Sequence, residues 1–192
     1  MDALQKIRDE HRTMSAVLLG LKELARDAQN ARVKPDFAVF RAMIRYIDEF
    51  PEAVHHPKED RYLLEPLAVR APETRALVES LRREHKKGTR LVRELERALI
   101  FFEDGWPAGG ADFRGTIDAY ADFHWNHMRI EEQQVLPAAQ RHFTPSDWEA
   151  IDRAFAVNRD PLAGIREKDF RRLFTRIVTL APEPVGLGDR WS

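Results

Sequence analysis

The chain has 192 residues, 31 lysines and arginines against 32 aspartates and glutamates, and no cysteine. The balanced charge argues against a polybasic nucleic-acid-binding protein. The missing cysteines exclude disulfide scaffolds, thiolate zinc sites, cysteine-held iron–sulfur clusters and thiol catalysis. A hydrophobic share of 43% is enough for a packed core, and the length predicts one domain, or one domain with an appendage.

No segment has the pattern of a targeting or membrane sequence. The start, MDALQKIRDEHR, is charged from its second residue, which predicts that no secretory signal is present. No apolar run approaches the roughly 20 residues that a membrane helix needs. We therefore expect a cytoplasmic protein that contacts no membrane.

The first part of the chain predicts two long helices. Apolar residues recur at alternating steps of three and four over Asp2–Asn30, as on the inward face of a bundle helix. A loop follows, Asp36 is a candidate N-cap, and the second helix is expected over Phe37–Val69. Because Pro51 and Pro57 lie inside that helix, we expect a kink or a short break there.

Two further long helices are predicted over Pro72–Phe102 and Asp112–His142, separated by a loop rich in glycine and proline. A short capped helix follows directly, and another helical stretch is expected around Phe170–Thr179 before a loose tail. No segment has a strand pattern. The sequence predicts an all-α fold, with an antiparallel up-down-up-down four-helix bundle over 1–142 and a C-terminal helical extension and tail over 143–192.

The histidines and glutamates form a two-fold internal repeat. In each half a single histidine, preceded by glutamate and followed by a basic residue, comes before a His-x-x-x-Glu unit. Residues four apart on a helix project from the same face, so such a pair can bind one metal or two neighbouring metals. The repeated residues are His11, His55 and Glu59 in the first half and His85, His127 and Glu131 in the second.

In an antiparallel bundle these six side chains can converge at one level of the core, where unpaired carboxylates are costly. Imidazole and carboxylate without thiolate suit iron, zinc or manganese. Two sets of three ligands predict a dinuclear site, in which each metal takes two histidines and shares the bridging glutamates. Two divalent cations outweigh the two glutamates, and an oxo or hydroxo bridge would neutralise most of the remaining charge. The ligand set favours iron and leaves zinc open.

This pattern resembles the hemerythrin-like, HHE cation-binding family of non-heme di-iron proteins. EFPEAVHHPKEDRYLLEPL and FHWNHMRIEEQQVLP are similar to that family's two ligand-bearing helices, and IRDEHRTMSAVLLGLKEL and LRREHKKGTRLVRELE to its two single-histidine helices. The resemblance covers about residues 1–142. It implies two iron ions, bridged by the glutamates and held by His11, His55, Glu59, His85, His127 and Glu131.

The chain departs from the oxygen-carrying members that it resembles. Those members have a second histidine on the third helix, where this chain has Leu81 or Thr89, and an aspartate five residues after the last histidine, where it has Glu132. The sequence therefore looks more like the bacterial and regulatory branch, which has four histidines and two glutamates.

The resemblance implies a protein that handles or senses oxygen, nitric oxide or iron. The alternative is a di-iron redox enzyme acting on oxygen, peroxide or nitric oxide, or repairing iron centres. A small diatomic ligand is the expected partner, a homodimer is left open, and no nucleic-acid partner is expected. A third hypothesis, a metal-free structural bundle, is disfavoured by the histidine repeat.

Two further histidines lie beside these residues. On an ideal α-helix His56 projects about 100° from His55, which predicts a contact with a ligand or exposure to solvent, with metal ligation as the alternative. His124 lies one turn before a predicted ligand and is either a fifth histidine ligand or a hydrogen-bond partner.

Three other neighbours of the predicted ligands are assigned simpler roles. Asp60 and Glu132 each follow a predicted glutamate ligand and are expected to be solvated charges. Gly88 either leaves room for a ligand or channel or allows the helices to pack closely.

Overall fold

A computed structural model of the chain describes residues 2–156. Helices make up nearly all of this part, which contains no strand, so the all-α prediction is confirmed there. Across residues 2–156, every helix is too short or too polar to span a membrane. The helical stretch predicted around Phe170–Thr179, and the tail after it, lie outside the described residues.

The first helix, α1, spans Asp2–Asn30, as predicted. A loop over 31–36 leads to α2, Phe37–Ile47. The Asp36 side chain accepts a hydrogen bond of 2.8 Å from the backbone N–H of Ala38. It therefore caps one of the free amides at the start of the helix, and the predicted N-cap is confirmed.

The chain remains helical from residue 37 to residue 70 despite its prolines, and we call this stretch the 37–70 helix. Its segments in order are α2, a π-helix over Asp48–His55, α3 (His56–Lys58), a π-helix over Glu59–Leu64, and α4 (Glu65–Arg70). A proline has no N–H to donate and crowds the carbonyl four residues earlier. The expected disturbance near the prolines is therefore a change of helix type, without a break in the helix.

The next helix, α5, spans Arg75–Gly105 and follows a 3₁₀ turn at Pro72–Thr74. It runs three residues beyond the predicted end at Phe102. Gly109 has φ +85° and starts the following helix, and a Cβ there would lie 3.2 Å from the Cα of Phe102. Only glycine fits this left-handed turn beside α5 without strain. Because α5 ends later than predicted and the next helix begins at Gly110, the loop between the two helices is shorter than expected.

The 110–142 helix repeats the alternation seen in the 37–70 helix. Its segments are α6 (Gly110–Ile130), a π-helix over Glu131–Val135, and α7 (Leu136–His142). In both stretches a π-helix begins at the predicted glutamate ligand, Glu59 or Glu131. Single π-helical turns within α-helices are frequent at functional sites.

The long helices enclose two separate apolar clusters. α1 packs against α2 and α6, and α5 also packs against α2 and α6. The Phe40 cluster includes Met14, Leu18, Phe40, Ile44, Val92 and Phe113. The Leu63 cluster includes Leu4, Ile7, Leu63, Leu81, Leu136 and Phe155. Along α1, Ile7 belongs to one cluster and Met14 to the other, with buried His11 between them, so a polar layer separates the two.

The predicted short helix is α8, Pro145–Ala156. Thr144 and Asp147 form a reciprocal capping box at its start, and the rings of Phe143 and Trp148 pack across the same turn at 5.3 Å. Phe155 is fully buried in the Leu63 cluster. This helix therefore packs against the Leu63 cluster, on one side of the polar layer.

Candidate metal centre

The six ligands predicted from the sequence lie together in the polar layer. One comes from α1, two from the 37–70 helix, one from α5 and two from the 110–142 helix. Their exposed fractions are 5% for His85 and 2% or less for His11, His55, Glu59, His127 and Glu131. Side chains far apart in sequence thus share one space that is shielded from bulk solvent.

The four histidines form two pairs. The rings of His11 and His55 have centroids 5.1 Å apart and meet edge to face. The Nε2 atoms of His85 and His127 are 3.0 Å apart. Two nitrogens that bind one ion at about 2.1 Å and at right angles lie about 3.0 Å apart, so the second pair has the spacing of two ligands on one metal.

Glu59 lies between the two histidine pairs. Its Oε1 is 3.2 Å from Nε2 of His55 and 3.8 Å from Nε2 of His11, while its Oε2 is 3.8 Å from Nε2 of His85. Each oxygen of the carboxylate therefore faces a different pair of histidines.

Glu131 repeats this arrangement with the pairs exchanged. Its Oε1 is 3.2 Å from Nε2 of His127 and 3.7 Å from Nε2 of His85, and its Oε2 is 3.5 Å from Nε2 of His11. The two carboxylates are thus arranged as a pair of bridges between two metal positions would be.

Each of the four histidines also donates its Nδ1–H to a carboxylate on a neighbouring helix. These contacts are 2.8 to 3.0 Å long. They join His55 to Glu10, His85 to Asp60, His127 to Glu84, and His11 to Glu132. Because every carboxylate is adjacent in sequence to a ligand on its own helix, the four contacts form a closed ring around the layer.

These contacts fix the tautomer of each ring. A neutral histidine that donates through Nδ1 has no hydrogen on Nε2. The Nε2 atoms of His85 and His127 then face one another at 3.0 Å as two acceptors, which repel unless a cation lies between them. A proton or a metal ion satisfies that requirement.

The same conclusion follows from buried atoms that have no hydrogen-bond partner. Within the described residues, all but one of these side-chain atoms lie in the polar layer. The atoms in the layer are Nε2 of His11 and His55, Nδ1 of His56, and both oxygens of Glu59 and Glu131. The one atom outside the layer is Nε1 of Trp106. An unsatisfied buried carboxylate is costly, and two divalent metal ions, one beside each histidine pair, would satisfy all four glutamate oxygens.

The carboxylates shift the ionisation of the histidines. Burial lowers the pKa of His127, but the proximity of Glu131 and the hydrogen bond with Glu84 outweigh burial and raise that pKa to about 10. Burial also lowers the pKa of His85, but Asp60, Glu131 and Glu59 raise it to about 9. The layer therefore attracts positive charge, which protons supply when no metal is bound.

Two predictions about charged neighbours need correction. Asp60 and Glu132 are partly exposed, at 36% and 42% of their side chains, but each accepts a hydrogen bond from a predicted ligand histidine and is not only a solvated charge. The sequence signal for this role is that Asp60 and Glu132 each directly follow a predicted glutamate ligand. Glu10 and Glu84 have the same role, which the sequence pattern did not indicate.

Of the two alternatives predicted for His56, contact with a predicted ligand is confirmed and exposure to solvent is wrong. Its side chain is buried, and its ring stacks on that of His85 with centroids 4.3 Å apart. π-helical turns, which have more residues per turn, flank this position on both sides, so the ideal α-helical angle from His55 did not decide between the two alternatives. His124 is also buried, and its Nε2 is 3.3 Å from Glu52. The hydrogen-bond alternative is therefore confirmed, and the partner is Glu52, which the sequence pattern did not indicate.

Glu52 is a buried carboxylate beside the polar layer. Its oxygens accept hydrogen bonds from the hydroxyls of Thr89 and Tyr120 at 3.1 and 3.2 Å. A Cβ on residue 88 would lie 2.6 Å from Glu52 Oε1. Gly88 therefore leaves room for this carboxylate, which resolves the alternatives for that glycine.

Together, the helical fold and the buried layer of histidines and carboxylates define a helical domain built to hold metal ions. A family model for the Hemerythrin HHE cation binding domain matches residues 2–139. The chain belongs to this family, and the resemblance seen in the sequence is confirmed. No solved structure was found to match the chain.

Proposed function

We propose that this protein is a non-heme di-iron protein of the bacterial, regulatory branch of its family. One iron would be held by His11 and His55 and the other by His85 and His127, with Glu59 and Glu131 bridging. The observation that carries the proposal is the position of the two buried glutamates. Each glutamate has one oxygen near one histidine pair and its other oxygen near the second pair. The nitrogen and oxygen donors, without thiolate, favour iron over zinc or manganese.

The short connections between the four long helices favour an antiparallel up-down-up-down arrangement. In that arrangement the single histidines of α1 and α5 lie at the same level as the two His-x-x-x-Glu units. The ring of carboxylates then holds each imidazole with Nε2 toward the centre, which keeps the nitrogen available for a metal and raises its basicity.

We further propose that the protein handles or senses oxygen, nitric oxide or iron. When bound, a pair of iron ions supplies reversible one-electron chemistry and open positions for a small molecule. A surface groove between α1 and α6 reaches His11 and is also lined by Leu19, Trp125, Met128 and Glu132. Its mainly apolar walls suit the passage of a small uncharged molecule toward the layer.

Elemental analysis of protein expressed with sufficient iron tests this proposal, together with a visible spectrum in air and after anaerobic reduction. We expect two irons per chain and a visible band that bleaches on reduction. Fewer than one iron per chain would contradict the proposal. Two zinc ions without a visible band would leave the ligand set intact and exclude the redox role.

The enzyme alternative is separated from binding or sensing by turnover. Oxidase, peroxidase and nitric oxide reduction assays on iron-loaded protein, with the Glu59→Ala variant as the control, measure it directly. Turnover that the variant abolishes would establish the enzyme, whereas spectral changes with oxygen or nitric oxide and no turnover would support binding or sensing.

A further inference from the structure

His56 lies among the metal-ligand residues although it is outside the two-fold repeat. Its exposed fraction is 4%. One of its ring nitrogens and the ligand atoms of Glu59, His85 and His127 all lie within 4.8 Å of one another. Its ring is nearly parallel to that of His85, with an interplanar angle of 10°. The stacking places His56 directly beside a predicted ligand of this metal position.

The other side of His56 faces a carboxylate, as in the four ligand histidines. Its Nδ1 is 3.4 Å from Oε2 of Glu52, just short of hydrogen-bond geometry. Glu52 is held in place by Thr89, Tyr120 and His124. Three polar partners and the space beside Gly88 thus fix the position of this buried carboxylate. Because Nδ1 of His56 faces Glu52, the other ring nitrogen, Nε2, points away from Glu52.

His124 offers a matched contrast. It contacts the same carboxylate, it is 2% exposed, and its ring also stacks on His56, at 5.4 Å with an interplanar angle of 13°. It does not belong to either group of side chains that are close enough to hold one ion. Burial and contact with Glu52 therefore do not by themselves bring a histidine to the metal position.

We infer that His56 is a fifth histidine ligand, bound through Nε2 to the metal that His85 and His127 hold, and that Glu52 is the carboxylate that orients it. This inference rests on the proposed dinuclear function. It makes the two metal positions chemically unequal, because one has three histidines and the other has two. The position with two histidines, beside His11 and the α1–α6 groove, then has more room for an added small molecule.

The test compares wild-type protein with His56→Ala, His124→Ala and Gly88→Ala after anaerobic loading with ⁵⁷Fe(II). Iron per chain and chelator competition give stoichiometry and affinity, and Mössbauer spectra report the environment of each iron. We expect two unequal iron signals in the wild type. His56→Ala should lose one iron, or bind it at least about tenfold more weakly, and His124→Ala should retain both irons with affinity close to that of the wild type.

Gly88→Ala tests the orienting role of Glu52 without removing a candidate ligand. The added methyl group displaces the carboxylate, so we expect weaker binding of the same single iron that His56→Ala affects. Circular dichroism checks folding, and His56→Gln, which keeps a polar side chain of similar length, replaces His56→Ala if that variant does not fold.

Two iron ions at wild-type affinity and an unchanged Mössbauer spectrum in folded His56→Ala or His56→Gln would overturn the fifth-ligand assignment and leave the dinuclear proposal intact. An equal loss in His124→Ala would also overturn the assignment, because it would show that the stacked rings matter only for packing. Fewer than one iron in the wild type would instead overturn the proposed function.

Discussion

Each histidine of the two-fold repeat has the same two kinds of neighbour: a carboxylate at Nδ1 and a buried glutamate near Nε2. The glutamates have no exposed surface, and their oxygens have no hydrogen-bond partner. At the scale of single residues, the proposed metal binding would therefore be shared between groups that contact the metal and groups that hold those contacts in place.

Replacing a bridging glutamate should remove metal. In Glu59→Gln the side chain keeps its shape but loses the charge and one of its two acceptor oxygens. We expect iron per chain, measured by elemental analysis, to fall from two to one or fewer. Glu65→Gln is the control, since Glu65 lies on the same helix and is 67% exposed. Two tightly bound iron ions in Glu59→Gln would contradict a bridging role.

Replacing an orienting carboxylate should weaken binding without removing a ligand. Glu84 accepts a hydrogen bond of 2.9 Å from Nδ1 of His127. In Glu84→Ala we expect metal affinity, measured by chelator competition, to fall about 10- to 100-fold. Glu79→Ala changes an exposed glutamate on the same helix and should have no effect. An affinity within twofold of the wild type in Glu84→Ala would show that the ring of carboxylates does not support the ligands.

At the scale of helices, local sequence signals explain where α8 begins and tertiary contacts explain where it packs. Thr144 and Asp147 cap the helix, and Arg70 from α4 pairs with Asp147 at 3.0 Å. At the other end of α8, the ring of Phe155 lies 6.2 Å from that of His55. This short helix therefore contributes Phe155 to the wall of the candidate metal centre.

Removing the cap should destabilise the domain moderately. Asp147→Ala loses the contact with the Thr144 N–H and the pair with Arg70, so we expect about 1 kcal/mol less stability toward chemical denaturation. Glu149→Ala, at an exposed position of the same helix, is the control. A variant as stable as the wild type would mean that packing of Ile151 and Phe155 alone holds α8 in place.

At the scale of the whole molecule, the polar layer divides the apolar core into the Phe40 and Leu63 clusters. Without metal, protons must balance the buried glutamates. The pKa values of His85 and His127, about 9 and 10, lie above the value of about 6.5 expected in the unfolded chain. Protonation of this histidine pair, with a proton between the two Nε2 atoms, therefore stabilises the metal-free fold.

The stability of metal-free protein should consequently fall at alkaline pH. The contribution of these histidines is fully present below about pH 6.5 and is lost as the pH rises through about 9 to 10. Denaturation of chelator-treated protein at pH 7 and pH 10 measures this loss. Iron-loaded protein is the control, and it should lose less stability because the metal replaces the protons. Equal pH dependence with and without metal would contradict metal binding in the layer.

Much of the fold followed from the sequence because its signals are local and periodic. The three-four spacing of apolar residues predicted the bounds of α1, and Asp36 predicted the start of α2. Prolines and glycines predicted where the helices change or end. The exact helix type near Pro51 and Pro57 did not follow, because a proline in a helix can be accommodated by a break, a kink or a π-helical turn.

The repeated His and His-x-x-x-Glu units, by themselves, identified the family and the six residues that the fold brings together, because ligands one helical turn apart must be encoded at fixed spacing. Only the tertiary structure decided which histidines pair, which carboxylate faces each ring, and that His56 and Glu52 are buried beside the layer. These relations join residues on different helices, and they depend on the rotation and depth of each helix, which π-helical turns alter by amounts that no local pattern specifies.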